Sequence, residues 1–309
     1  MASRRTSTPR LVVWAVLMFA FGIGLGSLLT NQACRRRGQL PGEEEQAPAR
    51  PAPKPRQVTP KPPPEPAPAP APSPAPAAAQ APPEAVALPR LALVIDDLGY
   101  ASPELVTRLC AQPVPFSVAV LPYQEHTRES ADLAHDRGKE VMLHLPMEPV
   151  GYPGPGKDPG PEAIMYSLSE AQVRERVRKA LADIPHRKGV NNHMGSRITP
   201  DRTRMAWILQ ELRARQCFFV DSRTEKDSVA FDVARELGIP TVQRKVFLDD
   251  LKTFPEMAKQ WDRALALARK EGSVLIIGHI YPETVEALEK LIPAAKGKVT
   301  FVKAGDLVK

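Results

Sequence analysis

The chain has 309 residues, of which 35 are prolines, and this is too much proline for one ordinary globular domain. Of its formal net charge of +7, the first 90 residues supply +6, since they hold 11 Lys and Arg against 5 Asp and Glu, whereas the remainder holds 31 against 30. Because the basic excess belongs to the tail, we expect no nucleic-acid partner for the folded part. The three cysteines have no spacing typical of a disulfide framework or a metal site.

Residues 11–29 form an uncharged, almost wholly apolar stretch that is long enough to span a bilayer as a helix. Arginines at positions 4, 5 and 10 favour a cytoplasmic N-terminus, and three more at 35–37 oppose it. Since no clear small-residue cleavage site follows, we predict an uncleaved signal anchor within residues 1–37. A cleaved signal and a secreted product are the alternative. From this anchor we expect a protein of the inner membrane whose folded domain lies in the periplasm.

Residues 38–89 are dominated by proline and alanine, including the alternating run PAPAPAPSPAPA. Proline lacks an amide donor and has a fixed φ, so we predict a disordered linker in an extended polyproline II conformation. At about 3.1 Å per residue, such a linker can reach on the order of 150 Å. This length suits a domain that is held away from a membrane; an SH3-type ligand is the alternative.

Short apolar strands alternate with helices from residue 90 to the end of the chain, and this alternation predicts an α/β fold with parallel strands. About seven units favour a closed or nearly closed barrel over an open sheet. The predicted strands cover residues 91–95, 116–121, 140–143, 217–220, 242–248, 273–277 and 299–302, with a further strand end within 189–197. The predicted helices cover residues 102–111, 127–137, 169–184, 200–216, 228–237, 253–271 and 283–290.

The first strand, in LALVIDDLGY, runs directly into the carboxylates Asp96 and Asp97. Two adjacent acids at the end of a buried strand are costly to desolvate unless a metal ion or a proton compensates them. The carboxyl ends of strands are also where α/β folds place their chemistry. We therefore predict a functional site here, and a cap for the following helix is the alternative.

Further polar residues follow later strands. In a barrel these strand ends meet at one mouth, so we expect the side chains to converge. A hydrogen-bonded structural role is the alternative for each histidine, and a helix cap or a pair with Arg223 is the alternative for Asp221. Asp249 and Asp250 are interpreted as a structural pair at a helix start. The converging residues are Asp96, Asp97, His144, His193, Asp221 and His279.

One carboxylate and two imidazoles, those of Asp97, His144 and His193, form a plausible ligand set for a divalent cation such as Zn²⁺. Three protein ligands leave a coordination position open, as in catalytic metal sites. Glu148, four residues after His144, is a further candidate ligand or acid.

Candidate catalytic groups surround this ligand set. Asp96 can take the proton of a water, and His279 can protonate a leaving group. Arg197 or Arg223 can stabilise developing negative charge. The predicted catalytic residues are Asp96, His279, Arg197 and Asp221.

Several motifs together resemble the divergent polysaccharide deacetylase family over about residues 90–308. They are LALVIDDLGY, FSVAVLPY, EVMLHLPMEP, GVNNHMGSR, FFVDSRT and IIGHIYPET. The resemblance implies a distorted (β/α)₇ barrel that removes N- or O-acetyl groups from polysaccharides with a divalent metal. It would make Asp96 the catalytic base, Asp97 a metal ligand and His279 the acid.

His144 matches the first metal histidine of the parent carbohydrate esterase family, but two motifs depart from that family. The parent expects a second histidine where Glu148 stands, and an Arg/Pro motif where NNHMGSR supplies His193 and Arg197. These departures leave Asp97 and His144 in the expected ligand set, with His193 or Glu148 as the third ligand.

We expect a membrane-tethered, metal-dependent hydrolase that acts on an envelope polysaccharide or peptidoglycan. The first alternative is a catalytically reduced module that binds glycan or recruits an envelope enzyme. A tethered structural protein and a peptide amidase are the others.

Overall fold

The computed structural model describes residues 87–309. The predicted membrane segment at 11–29, and the predicted linker apart from its last three residues, lie outside the described residues. No helix within 87–309 is both long and apolar enough to cross a membrane.

The described chain alternates strands with helices, as the sequence predicts. The strands are β1 (Arg90–Leu98), β2 (Ser117–Val120), β3 (Glu140–Met147), β4 (Gly189–Met194), β5 (Phe218–Asp221), β6 (Thr241–Gln243), β7 (Val246–Phe247), β8 (Ser273–His279) and β9 (Thr300–Val302). The helices are α1 (Pro103–Cys110), α2 (Thr127–Asp136), α3 (Glu170–Asp183), α4 (Arg202–Arg213), α5 (Ala230–Glu236), α6 (Phe254–Glu271) and α7 (Pro282–Ala294), followed by a 3₁₀ turn at Ala304–Asp306.

The strands form one parallel sheet in the order β6-β5-β4-β3-β2-β1-β8-β7, with β9 paired to the first residues of β1. Its two end strands, β6 and β7, are separated by only two residues in the chain. Within these two, the Arg244 amide donates to the Asp221 carbonyl and the Lys245 amide donates to the Leu275 carbonyl. The short segment therefore bridges the two ends of a curled sheet, which is an α/β half-barrel of parallel strands.

Two apolar layers follow from the alternation of side chains along each strand. In β1, Leu91, Leu93 and Ile95 pack outward in the cluster that includes the helices. Ala92 and Val94 face the inside of the curled sheet, with residues of β2, β3, β5 and β8. Continuing the same alternation, Asp96 is the next inward-facing residue, so it comes to the carboxyl end of the interior.

The inner layer is tightly packed where β4 meets β5. A Cβ atom on Gly189 would lie 2.3 Å from a carbon of the Phe218 ring. Only glycine therefore lets the Phe218 ring lie against the start of β4.

Several predicted strands differ from the observed ones. The strands predicted to end at residues 95 and 277 continue to Leu98 and His279. The strand predicted at 140–143 continues to Met147, because His144 faces inward while Leu145 and Met147 pack in the outer layer. The strand predicted at 242–248 is divided into β6 and β7, because its two halves pair with different neighbours.

Candidate active site

Asp96 and Asp97 both line the cavity at the carboxyl end of the sheet, although consecutive strand residues normally face opposite sides. The backbone of Asp97 explains this, because its φ of 65° lies in the left-handed region. The pairing of β1 with β2 also shifts register between Ile95 and Leu98. A local irregularity at the strand end thus directs both carboxylates to one place.

Three ligand-type atoms meet beside these carboxylates. Oδ1 of Asp97 lies 3.2 Å from Nε2 of His144 and 3.1 Å from Nδ1 of His193. The two imidazole nitrogens are 3.1 Å apart. Oδ1 of Asp97 is buried, and its close contacts with the two imidazole nitrogens do not have hydrogen-bond geometry. Within residues 87–309 this is the only group of three or more His, Cys, Asp or Glu residues that is close enough to share a metal ion.

The arrangement fits a tetrahedral divalent cation. Zinc binds histidine nitrogen and carboxylate oxygen at about 2.0–2.2 Å, which places neighbouring ligand atoms roughly 3.3 Å apart. A buried carboxylate oxygen without a hydrogen-bond donor is costly, and a cation would compensate it. The donor set and its spacing are therefore those of a metal site with three protein ligands.

Asn191 on β4 holds two of the site residues in place. Nδ1 of His144 lies 2.8 Å from Oδ1 of Asn191, and the Asn191 amide nitrogen donates to Oδ1 of Asp96 at 2.8 Å. If Nδ1 carries the proton, the lone pair of Nε2 is free to face Asp97 and His193. Asn191 is thus an outer partner of the kind that orients a metal-binding histidine.

A histidine–carboxylate pair, formed by His279 and Asp249, lies at the end of β8. Nδ1 of His279 lies 2.9 Å from Oδ1 of Asp249, and Oδ2 of Asp249 accepts from the His279 amide and from the hydroxyl of Thr284. Asp249 is buried, whereas the ring of His279 lines the cavity. The carboxylate therefore fixes both the ring orientation and the position of its proton.

The site shifts the pKa values of its ionisable groups. Burial raises the pKa of the Asp96 carboxyl and, at Asp97, also works against ionisation. The imidazoles of His144 and His193 nevertheless hold the pKa of Asp97 below its ordinary range. Burial opposes protonation of His279 too, but Asp249, with help from the two site aspartates, raises the pKa of His279 to about 9.

The structure separates three predicted site residues from this cluster. Glu148 is buried, and its carboxylate accepts from the Arg197 guanidinium and from the amide of Tyr166. These bonds hold the Glu148 carboxylate away from the three-atom group of Asp97, His144 and His193. Arg197 does not line the cavity. Asp221 follows the outward-facing alternation of β5, and it accepts from the Ser228 hydroxyl and the Arg223 amide. Neither a ligand role for Glu148 nor catalytic roles for Arg197 and Asp221 fit these positions.

Sequence reasoning missed Asn191, Asp249 and Arg244. Asn191 lies two residues before His193, so strand alternation alone places it on the same face. Asp249 follows an apolar strand as Asp96 does, but we interpreted it as structural. No sequence signal identifies Arg244, because its place in the cavity depends on the break between β6 and β7.

The cavity has a volume of about 720 Å³. The three candidate metal ligands, Asp96 and His279 line it, and all of them lie in the carboxyl halves of their strands. Its other walls contain the residues Asn192, Met194, Ser222, Arg223, Thr224, Arg244, Lys245, Phe247, Asp250, Gln260, Arg263, Ile277 and Tyr281.

Comparisons with known proteins place the described part of the chain in a family context. The sequence model of the family described as divergent polysaccharide deacetylase matches residues 93–308. An uncharacterized protein of Escherichia coli K12, YibQ, is 37% identical over 219 residues, which are 71% of this chain and 67% of that protein. An uncharacterized protein of Haemophilus influenzae is 35% identical over 218 residues, which are 71% of this chain and 76% of that protein.

Among solved structures, an uncharacterized protein from Agrobacterium tumefaciens C58, ATU2773, superposes with a TM-score of 0.67 at 23% sequence identity. The match covers 74% of this chain and 92% of that one. This likeness concerns the fold alone.

Proposed function

The chain belongs to the divergent polysaccharide deacetylase family, and from that membership and the geometry of the cavity we propose that it is a metal-dependent hydrolase. It would remove N- or O-acetyl groups from an envelope polysaccharide or peptidoglycan. The observation that carries the proposal is the three-atom group of Asp97, His144 and His193, with Asp96 beside it at the mouth of the half-barrel.

Asp97, His144 and His193 would hold a divalent cation, with Zn²⁺ as the first candidate. When bound, the cation supplies Lewis-acid polarisation of the acetyl carbonyl and lowers the pKa of a water. Asn191 keeps Nε2 of His144 directed at the cation position. Oδ2 of Asp96 lies 3.7 Å from the same nitrogen, so its carboxylate is close enough to accept the proton of the attacking water.

His279 lines the same cavity and supports the second proton transfer. Attack of the water oxygen on the acetyl carbon is followed by cleavage of the C–N or C–O bond to the sugar. The protonated ring of His279, oriented by Asp249, donates a proton to the departing amine or alkoxide. The products are acetate and a free amino or hydroxyl group on the glycan.

We also propose that residues 1–37 anchor the protein in the inner membrane and that residues 38–89 hold the folded domain in the periplasm. The apolar stretch at 11–29 and the proline-rich run after it support this location. A periplasmic domain on a long spacer would reach an envelope glycan.

The test measures acetate release and metal content in the same preparations, with N-acetylglucosamine oligomers and peptidoglycan fragments as substrates. Asp96→Asn is expected to keep the metal and to lower kcat by 10²- to 10⁴-fold, because it removes a proton acceptor. Metal bound by the native protein without any acetate release would exclude the hydrolase and favour a glycan-binding module.

A further inference from the structure

Three arginines line the cavity on elements that carry none of the candidate metal ligands. Arg223 follows β5, Arg244 lies between β6 and β7, and Arg263 lies on α6. The ligands come from β1, β3 and β4 instead. Among the ion pairs of residues 87–309, no carboxylate lies within 4.0 Å of any of these three guanidinium groups.

Each guanidinium group has hydrogen-bond donors without a protein acceptor in the described part of the chain. Arg244 donates from Nε to the Ser222 carbonyl and from Nη2 to the Arg223 carbonyl, which leaves Nη1 unused. Arg223 uses Nη2 on the Lys226 carbonyl, and Arg263 uses Nη1 on the Gln260 side chain. The backbone contacts hold Arg244 in a fixed position, so its remaining donors are pre-organised for a ligand.

The charge balance of the cavity favours an anion at this wall. Lys245, which also lines the cavity, is paired with Glu271 at 3.4 Å. Apart from Asp96 and Asp97, Asp250 is the one carboxylate among the cavity-lining residues, and it is exposed. The carboxylates of Asp221, Asp96 and Asp250 act on the half-buried Arg244 from a distance, but none of them forms an ion pair with it. The lining of this wall therefore carries more unpaired positive than negative charge.

Two aromatic rings line the cavity, and one of them lies against an arginine. Phe247 and Tyr281 line the cavity, and the Arg244 guanidinium lies 4.9 Å from the centre of the Phe247 ring. The Lys252 ammonium lies 3.3 Å from the centre of the Tyr281 ring, and the His279 ring stacks against the same tyrosine. Phe247 is therefore the ring that can present an apolar face to the C–H face of a pyranose. A sugar ring that packs here would have substituents within reach of the arginines.

We propose that the substrate is an acidic glycan, in which a carboxylate-bearing sugar binds the wall formed by Arg223, Arg244 and Arg263. The acetylated neighbour of that sugar would then lie at the three-atom group. This inference rests on the proposed function, which it narrows from polysaccharides in general to uronate-type polymers. The planar fork of arginine matches a carboxylate, and three such groups would select against neutral chains.

The experiment compares two probes with the full chain loaded with Zn²⁺. One is an oligosaccharide of alternating N-acetylglucosamine and glucuronate, and the other is the same oligosaccharide with each carboxyl group reduced to a hydroxymethyl group. Calorimetric Kd values are measured alongside acetate release. The acidic probe is expected to bind about 10- to 100-fold more tightly, which is the effect of one or two charge-assisted hydrogen bonds.

Three variants locate the preference. Arg223→Gln and Arg244→Gln are each expected to lower the affinity ratio of the two probes by about tenfold. Arg263→Gln, a change on the exposed face of α6, tests the wall without disturbing the fold. Arg213→Gln, an equal charge change at the exposed end of α4, is the matched control and is expected to keep the ratio.

Equal affinity for the two probes, or no binding of either, would overturn the proposal. Acetate release from both probes at the same kcat/KM would leave the hydrolase intact and remove the acidic preference. Preferential binding of the acidic probe without acetate release would keep the acidic preference and contradict the hydrolase.

Discussion

Nδ1 of His279 lies 2.9 Å from Oδ1 of Asp249, and the other oxygen of this carboxylate accepts from the backbone amide of the same histidine. One buried side chain thus holds both the ring and the main chain at the end of β8. Because the Thr284 hydroxyl also donates to Asp249, the carboxylate takes part in three hydrogen bonds at this strand end. The pair orients a proton toward the cavity.

Removing the charge of Asp249 should lower the pKa of His279. In the metal-free protein we expect this pKa to fall from about 9 toward the ordinary value of 6.5 in Asp249→Asn. The Asp249 carboxylate supplies the hydrogen bond and the nearest negative charge that favour the protonated ring. NMR titration of the histidine ring resonances measures this. Asp250→Asn is the matched control, and an equal fall in that variant would contradict the role of Asp249.

The same pair predicts how stability depends on pH in the metal-free protein. Since the folded pKa of His279 lies above its unfolded value of 6.5, the contribution is fully present below about pH 6.5 and is lost as pH rises through about 9. We expect the protonated His279 paired with Asp249 to contribute on the order of 1–3 kcal/mol to the free energy of unfolding. Urea unfolding at a series of pH values measures it. Asp249→Asn should flatten the curve between pH 6.5 and 9, and an unchanged slope would count against the assignment.

Metal binding should depend on the three-atom group and not on Glu148. Asp97→Ala, His144→Ala and His193→Ala should each lose the single divalent ion per chain that we expect in the native protein. Glu148→Gln should keep the ion, because Arg197 and Tyr166 occupy that carboxylate. It should instead lower the free energy of unfolding by about 1–3 kcal/mol. Elemental analysis after gel filtration measures the metal content of each variant. Loss of metal in Glu148→Gln would restore Glu148 as a ligand.

Asn191 should control metal affinity without contacting the metal. Asn191→Leu leaves Nδ1 of His144 without its partner and frees the ring to turn, so we expect metal affinity to fall about 10- to 100-fold. Competition with a chelator dye measures the affinity. Asn192→Leu is the neighbouring comparison, because Asn192 bonds to the amide of Ser222 and not to a ligand. A native affinity in Asn191→Leu would show that packing alone holds His144.

The close approach of Gly189 to Phe218 predicts a cost for any larger residue there. Gly189→Ala should destabilise the fold by about 1–3 kcal/mol, because the added methyl group meets the ring at 2.3 Å. Thermal or urea unfolding measures the loss. Gly138→Ala is not a suitable control, because Gly138 has a φ of 72°. The double variant Gly189→Ala/Phe218→Leu should recover part of the stability, and failure to do so would place the strain elsewhere.

The helices and the parallel α/β architecture were predictable, because their signals are local. Capping residues mark several helix starts: Ser169 and Gln172 form the capping box of α3, and Asp201 caps α4. The extent of β3 was underestimated because His144 interrupts its apolar run. Its neighbours still pack outward, and the ladder to β4 continues to Met147.

By itself, the sequence determined the order of strands and helices and the set of polar residues at the strand ends, since apolar periodicity and turn residues act within a few positions. Only the tertiary structure decided which of those residues meet. The positive φ of Asp97 brings two consecutive carboxylates to one cavity, whereas regular alternation turns Asp221 away from it. The bridge at Arg244 depends on strands far apart in the chain. Such placements depend on register and backbone irregularity, which arise when distant strands pair and leave no trace in local composition.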